Sequence, residues 1–166
     1  MIIQKPTKYL IILLFLFHIT NVIYGQNTIP EVLKKYNSES VSYITVNEAF
    51  KRSSALFLDA RELIEFNTSH IPGATYIGFN EFNSNTLLKK VKDKNTFIVV
   101  YCSIGVRSEK IGEKLLKLGY TNVFNLYGGI FEWKNTGYEV VDNLGGETEI
   151  VHTYSKEWAK YLKKHI

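Results

Sequence analysis

A chain of 166 residues, 45% apolar and 22% charged, is long enough to bury a core and too short for two full domains. Its formal charge is +4, and +2 without residues 1–25, too mild to suggest a nucleic-acid partner. A single cysteine rules out a disulfide within the chain, so packing must stabilise the fold.

Residues 1–25 read as a signal peptide. Lys5 and Lys8 form a short cationic stretch, residues 10–19 are almost wholly apolar, and Gly25 offers a small residue for cleavage before Gln26. His18, Thr20 and Asn21 interrupt the apolar run, which is shorter than the roughly 20 residues of a spanning helix, so removal is expected in place of a retained anchor. No cysteine lies nearby to carry a lipid. Cleavage takes away two lysines and no acid, leaving 18 basic against 16 acidic residues. The expectation is an exported bacterial protein, periplasmic or secreted, with no stable membrane insertion after cleavage.

Residues 26–42 form a polar extension whose apolar stretch, 29–36, predicts one or two helical turns on the surface, with no chemistry of their own. From Tyr43 to Val141 short β-type runs alternate with helical ones, the pattern of a parallel sheet with helices on both faces. Strands are predicted at 44–46 and 55–58, a short helix at 61–66, a third strand at 74–77 and a helix at 80–91 capped by Asn80. Residues 97–101 are continuously apolar, as a strand buried on both faces at the centre of the sheet should be. A helix follows at 106–118, with Ile111 and Leu115 on its apolar face and Gly119 as its stop, then a strand at 122–126.

After Gly128 and Gly129 a short helix through Trp133 is expected to pack beneath the sheet edge, with Tyr127 bordering a pocket. An extended piece at 138–141 closes the domain. The tail, 142–166, breaks at Gly145-Gly146 and then carries Trp158, Tyr161 and Leu162 at helical spacing, which suits a packed helix or a frayed end.

The chemistry concentrates in Cys102-Ser103-Ile104-Gly105-Val106-Arg107-Ser108, which leaves the central strand and enters a helix. Open α/β sheets bind ligands at this carboxyl edge. A turn here aims backbone N–H groups inward, the helix start adds positive potential, and Gly105 permits the curvature. An ordinary thiol titrates near 8.5, so about 3% is thiolate at pH 7, and such a loop raises that fraction without a histidine. A lone cysteine is more often a small buried hydrophobe, and it is the surrounding loop that argues for a nucleophile.

Four ordered motifs carry a resemblance: Leu58-Asp59-Ala60-Arg61-Glu62, His70-Ile71-Pro72-Gly73-Ala74, Tyr101-Cys102 through Ser108, and Leu126-Tyr127-Gly128-Gly129 with Trp133. Together they resemble the rhodanese superfamily over residues 43–141. The resemblance implies a five-stranded parallel sheet with helices on both faces and Cys102 as the residue that accepts a sulfur atom, its persulfide cradled by the amides of Ser103, Ile104, Gly105, Val106, Arg107 and Ser108. It implies a small sulfur donor such as thiosulfate and a nucleophilic acceptor from outside the chain, a thiol or a protein, since no second cysteine is available. Asp59 and Arg61 are expected to pair with the active loop and nearby backbone, and His70 to fix a turn. No second ligand stands near His70, so no metal is expected, and no cofactor.

Arg107 has two readings, facing the pocket to attract an oxyanion or turning to pair with Asp59, Glu62 or Glu65. Ser103 and Ile104 are neutral where thiosulfate-preferring relatives are often cationic, which weighs against thiosulfate as the physiological donor. Two alternatives compete: a non-catalytic binding module, and a phosphatase, whose related loops place five residues between cysteine and arginine where this chain has four.

Overall fold

The computed structural model describes residues 28–163, so the segment 1–25 expected to be a signal peptide and the final three residues of the tail lie outside the described residues. The centre is a five-stranded parallel sheet with spatial order β1-β5-β4-β2-β3, built from β1 (Tyr43–Ile44), β2 (Leu56–Asp59), β3 (Thr75–Tyr76), β4 (Ile98–Tyr101) and β5 (Val123–Leu126). All four residues of β4 are buried, as its apolar run requires. Their alternation feeds two cores. Val99 and Tyr101 face a cluster with Ile104, Ile130, Phe131 and Trp133, whereas Ile98 and Val100 face one with Leu87, Ile111 and Leu115.

Helices cover both faces: α1 (Ile29–Tyr36), α2 (Val46–Phe50), α3 (Leu63–Thr68), α4 (Ser84–Lys90), α5 (Val106–Lys117) and α6 (Gly129–Asn135). α5 runs from the loop after β4 to Gly119, which takes a left-handed φ of +89°, and it buries Ile111 and Leu115. Within it Gly112 lets Val41 approach so closely that a Cβ there would stand 2.9 Å from a Val41 methyl.

Several local expectations change. The 44–46 strand is only Tyr43–Ile44, because Thr45 is a helix cap: its hydroxyl accepts from the Glu48 amide while Glu48 accepts from the Thr45 amide, starting α2. α4 is capped by Asn83, which accepts from the Thr86 amide, while Asn80 donates to Glu62 instead. α1 is not a surface ornament, since Val32 and Leu33 are buried in the domain. Of the two readings of the tail, packed helix or frayed end, its described part is packed, though only three of its residues are helical. It forms a hairpin strand, β7 (Glu147–Thr148), antiparallel to β6 (Val140–Val141), and a 3-10 turn at Ala159–Tyr161. Trp158, Tyr161 and Leu162 pack against the first core. Among the described residues, no helix is long and apolar enough to cross a membrane.

Candidate active site

β4 delivers Cys102 to the carboxyl edge of the sheet, and α5 starts four residues later. Gly105 makes the turn at φ +114°, a conformation that disfavours any side chain, and its amide donates to Cys102 Sγ at 3.2 Å. Its carbonyl accepts from Asn125 Nδ2 at 2.8 Å and from Asn37 Nδ2 at 3.0 Å, one donor from β5 and one from the end of α1. From the other side the first turn of α6 closes on the loop, with Ile130 N–H on the Cys102 carbonyl (2.9 Å) and Phe131 N–H on that of Ser103 (3.1 Å). These helix-start amides lack partners in their own helix, so they are free to hold the loop backbone.

Ser108 stands 3.5 Å from Sγ and 2.8 Å from Asn125 Oδ1. A hydroxyl has one hydrogen, so it serves Asn125 when sulfur is a thiol and turns to sulfur when it is a thiolate. Burial alone pushes the Cys102 thiol up. The charge of Arg107 and hydrogen bonds from Ser108 and Gly105 outweigh it and bring the group below its ordinary value. The rate of Cys102 alkylation should therefore rise with pH and level off while a free thiol is still titrating. In Ser108→Ala that plateau should move to higher pH and the neutral-pH rate should fall, as read by iodoacetamide labelling followed by mass spectrometry.

Arg107 resolves toward one of its alternatives. Its Nη1 and Nη2 grip the two oxygens of Glu65 at 2.7 and 2.8 Å, and Nη2 also donates to Ser103 Oγ at 3.0 Å. Burial disfavours the Glu65 carboxylate, but these bonds and the Glu62 amide hold it below its usual range. Tyr154 lies over the guanidinium at 4.9 Å. Replacing Glu65 by Gln leaves Arg107, only 18% exposed, without its counter-charge. Urea unfolding should show a loss of about 2 kcal/mol.

Asp59 and Arg61 are not bonded to the loop as expected. They pair with each other at 2.6 Å, fully buried, and Arg61 also donates to the Ser69 carbonyl. The reason is local: two residues apart at the end of β2, they close a fork that leaves no reach to Cys102. His70 Nδ1 lies 3.0 Å from the Phe66 carbonyl, and its backbone bridges Val141 in both directions. Tyr127 meets Tyr43 edge to face and is absent from the pocket lining. Among the described residues no three groups are placed to bind a metal.

A cavity of about 480 Å3 opens over Cys102. Ser103, Ile104 and Arg107 line it beside Cys102, and Tyr36, Phe79, Tyr154 and Trp158 supply aromatic walls. That volume suits a small molecule.

The family of rhodanese-like domains matches residues 44–136, more than half of the chain. The chain belongs to the rhodanese-like family. A rhodanese-related protein of Thermoplasma volcanium superposes with a TM-score of 0.52 at 28% identity, covering 60% of this chain and 97% of that one. The thiosulfate sulfurtransferase of Pseudomonas aeruginosa shares the fold, with a TM-score of 0.56 and 24% identity over 73% of this chain and 24% of that protein. The tRNA uridine(34) hydroxylase of Hamiltonella defensa is 35% identical over 96 residues, 55% of this chain and 26% of that protein, and that of Yersinia enterocolitica is 32% identical over 99 residues. This rhodanese-like chain thus spans about a quarter of the length of those curated relatives.

Four residues that hold this rhodanese-like site escaped the sequence reading: Asn37, Glu109, Asn125 and Tyr154. Glu109 is buried in the first turn of α5 and accepts from the Ser38 amide and from the hydroxyls of Ser38 and Ser40. Asn125 had a visible signal, a lone amide inside the apolar run Val-Phe-Asn-Leu. Such a residue in a buried strand needs partners, and here they are the loop. Asn37 and Tyr154 gave no signal, since each acts from a flanking segment across a long sequence gap.

Proposed function

We propose that this chain is a sulfurtransferase in which Cys102 carries sulfane sulfur as a persulfide. The observation that carries this reading is the convergence on one buried sulfur of the Gly105 amide, the Ser108 hydroxyl and the charge of Arg107, at the floor of an open cavity. The Cys102 thiolate attacks the outer sulfur of the donor. A new S–S bond forms, and the donor's own bond to that sulfur breaks, its electron pair leaving with the departing group: sulfite from thiosulfate, a thiolate from a persulfide. The added sulfur lies where α5 begins, among first-turn amides that have no partner in their helix. An external thiolate then attacks it, forms its own S–S bond, and returns Cys102 to the thiolate.

The acceptor is external because the chain has one cysteine and so no resolving thiol. A small thiol or a cysteine on another protein meets this need. Ser103, Ile104, Val106 and Arg107 line the approach, and Asp59, Arg61 and His70 support the scaffold behind it. Both terminal nitrogens of Arg107 are engaged by Glu65, which favours sulfur transfer over phosphate-ester hydrolysis, where a free cationic fork is needed on the substrate. The hydroxylation named for the curated relatives is not carried over, as only about a quarter of their length is shared. The amino-terminal segment supports an exported location for this activity.

The test is intact-mass spectrometry after incubation with thiosulfate, mercaptopyruvate, polysulfide or an organic persulfide. A gain of roughly 32 daltons that a thiol such as dithiothreitol then removes is the expected result, and no gain with any donor overturns the reading.

A further inference from the structure

Three of the four aromatic walls of the cavity come from outside the segment that defines the family, and Phe79 is the fourth. Tyr36 ends α1 and Tyr154 and Trp158 belong to the tail, all beyond residues 44–136. Tyr154 holds φ +64°, a left-handed conformation that disfavours a tyrosine, and its ring lies against Arg107. Trp158 is tied to the first core and lies tilted against Tyr161, ring centroids 5.8 Å apart. With Phe79, Ile104 and Val106 these residues make the lining mainly apolar.

Charge points the same way. Among the described residues lining the cavity Arg107 is the single cation, and it is balanced by Glu65, while Glu62 adds a carboxylate to the wall. A small dianion gains little here, whereas an apolar body gains by leaving water. We infer that the sulfur donor of this site is an organic persulfide with an apolar, aromatic or alkyl body, which the flanking segments grip while its outer sulfur meets Cys102. The inference rests on the sulfur-carrier reading and specifies its substrate class. In the step itself Cys102 thiolate bonds to the outer sulfur, the bond between the donor's two sulfurs breaks, and the electron pair leaves on the apolar thiolate.

The rate of persulfide formation on the full chain should be compared for benzyl persulfide and glutathione persulfide, which share the reactive group and differ in the body. The expected ratio of kcat/KM is about thirtyfold in favour of benzyl. In Trp158→Ala the ratio should fall below about threefold, while Trp158→Phe keeps it above about tenfold. Tyr154→Gly, which removes a ring and suits the positive φ, should also lower it, and serves if Trp158→Ala does not fold. Equal rates for the two persulfides in the unaltered protein overturn the inference and leave the sulfur carrier standing. Failure of every donor, inorganic polysulfide included, overturns both.

Discussion

Cys102→Ser should take up no sulfur from any donor while remaining folded. Serine occupies nearly the same space, and its oxygen can still accept from the Gly105 amide, so stability should change by no more than about 1 kcal/mol. Its hydroxyl is far harder to ionise than a thiol, so the interactions that stabilise a thiolate have no anion to act on. Two measurements separate chemistry from folding. The mass should stay unshifted after donor treatment, a loss of at least about a thousandfold relative to the unaltered protein, and the urea midpoint should stay near its original value. Sulfur uptake by the variant on another residue would remove Cys102 from the reaction.

Gly129→Ala should be the most damaging substitution that leaves every side chain of the loop unchanged. A Cβ on Gly129 would lie 2.3 Å from the Cys102 carbonyl oxygen and 2.6 Å from that of Ser103, and both neighbours are backbone. Neither can rotate away, because the same carbonyls accept from Ile130 and Phe131. The φ of +56° adds its own penalty for alanine. Overpacking and strain together should cost about 3–4 kcal/mol, read by denaturant unfolding. Sulfur loading in the folded fraction should fall by about tenfold or more, since the carbonyl that must move belongs to Cys102, the proposed sulfur carrier. Gly73→Ala, where nothing lies within 4 Å, is the matched control for positive φ without a clash.

The sheet and the place of the Cys102 loop were legible because each rests on a short-range signal. An unbroken apolar run identified β4 and its central place, and the cysteine and glycine after it marked the loop. Misreadings arose where two local signals competed. Ile44, Thr45 and Val46 are all β-branched and so suggest a strand, yet Thr45 with Glu48 forms a capping box, and reciprocal hydrogen bonds won over propensity. Asn80 and Asn83 both offered a cap, and the one nearer α4 took it. Partner choice was illegible where it depends on three-dimensional reach: Arg107 had three carboxylates in prospect, and only the placement of α3 beside the loop selects Glu65. The roles of α1 and the tail were hidden for the same reason.

One carbonyl ties the Cys102 loop to distant parts of the chain. The Gly105 oxygen accepts from a residue 68 positions earlier and from another 20 positions later, and the backbone just before it is clasped by α6. Such distant closures come late, after much of the loop entropy has been spent. Until then the sulfur is an ordinary, mostly protonated thiol with low reactivity toward oxidants. If the proposed sulfur carrier is right, an unfolded copy of the chain lacks the thiolate on which that reaction depends.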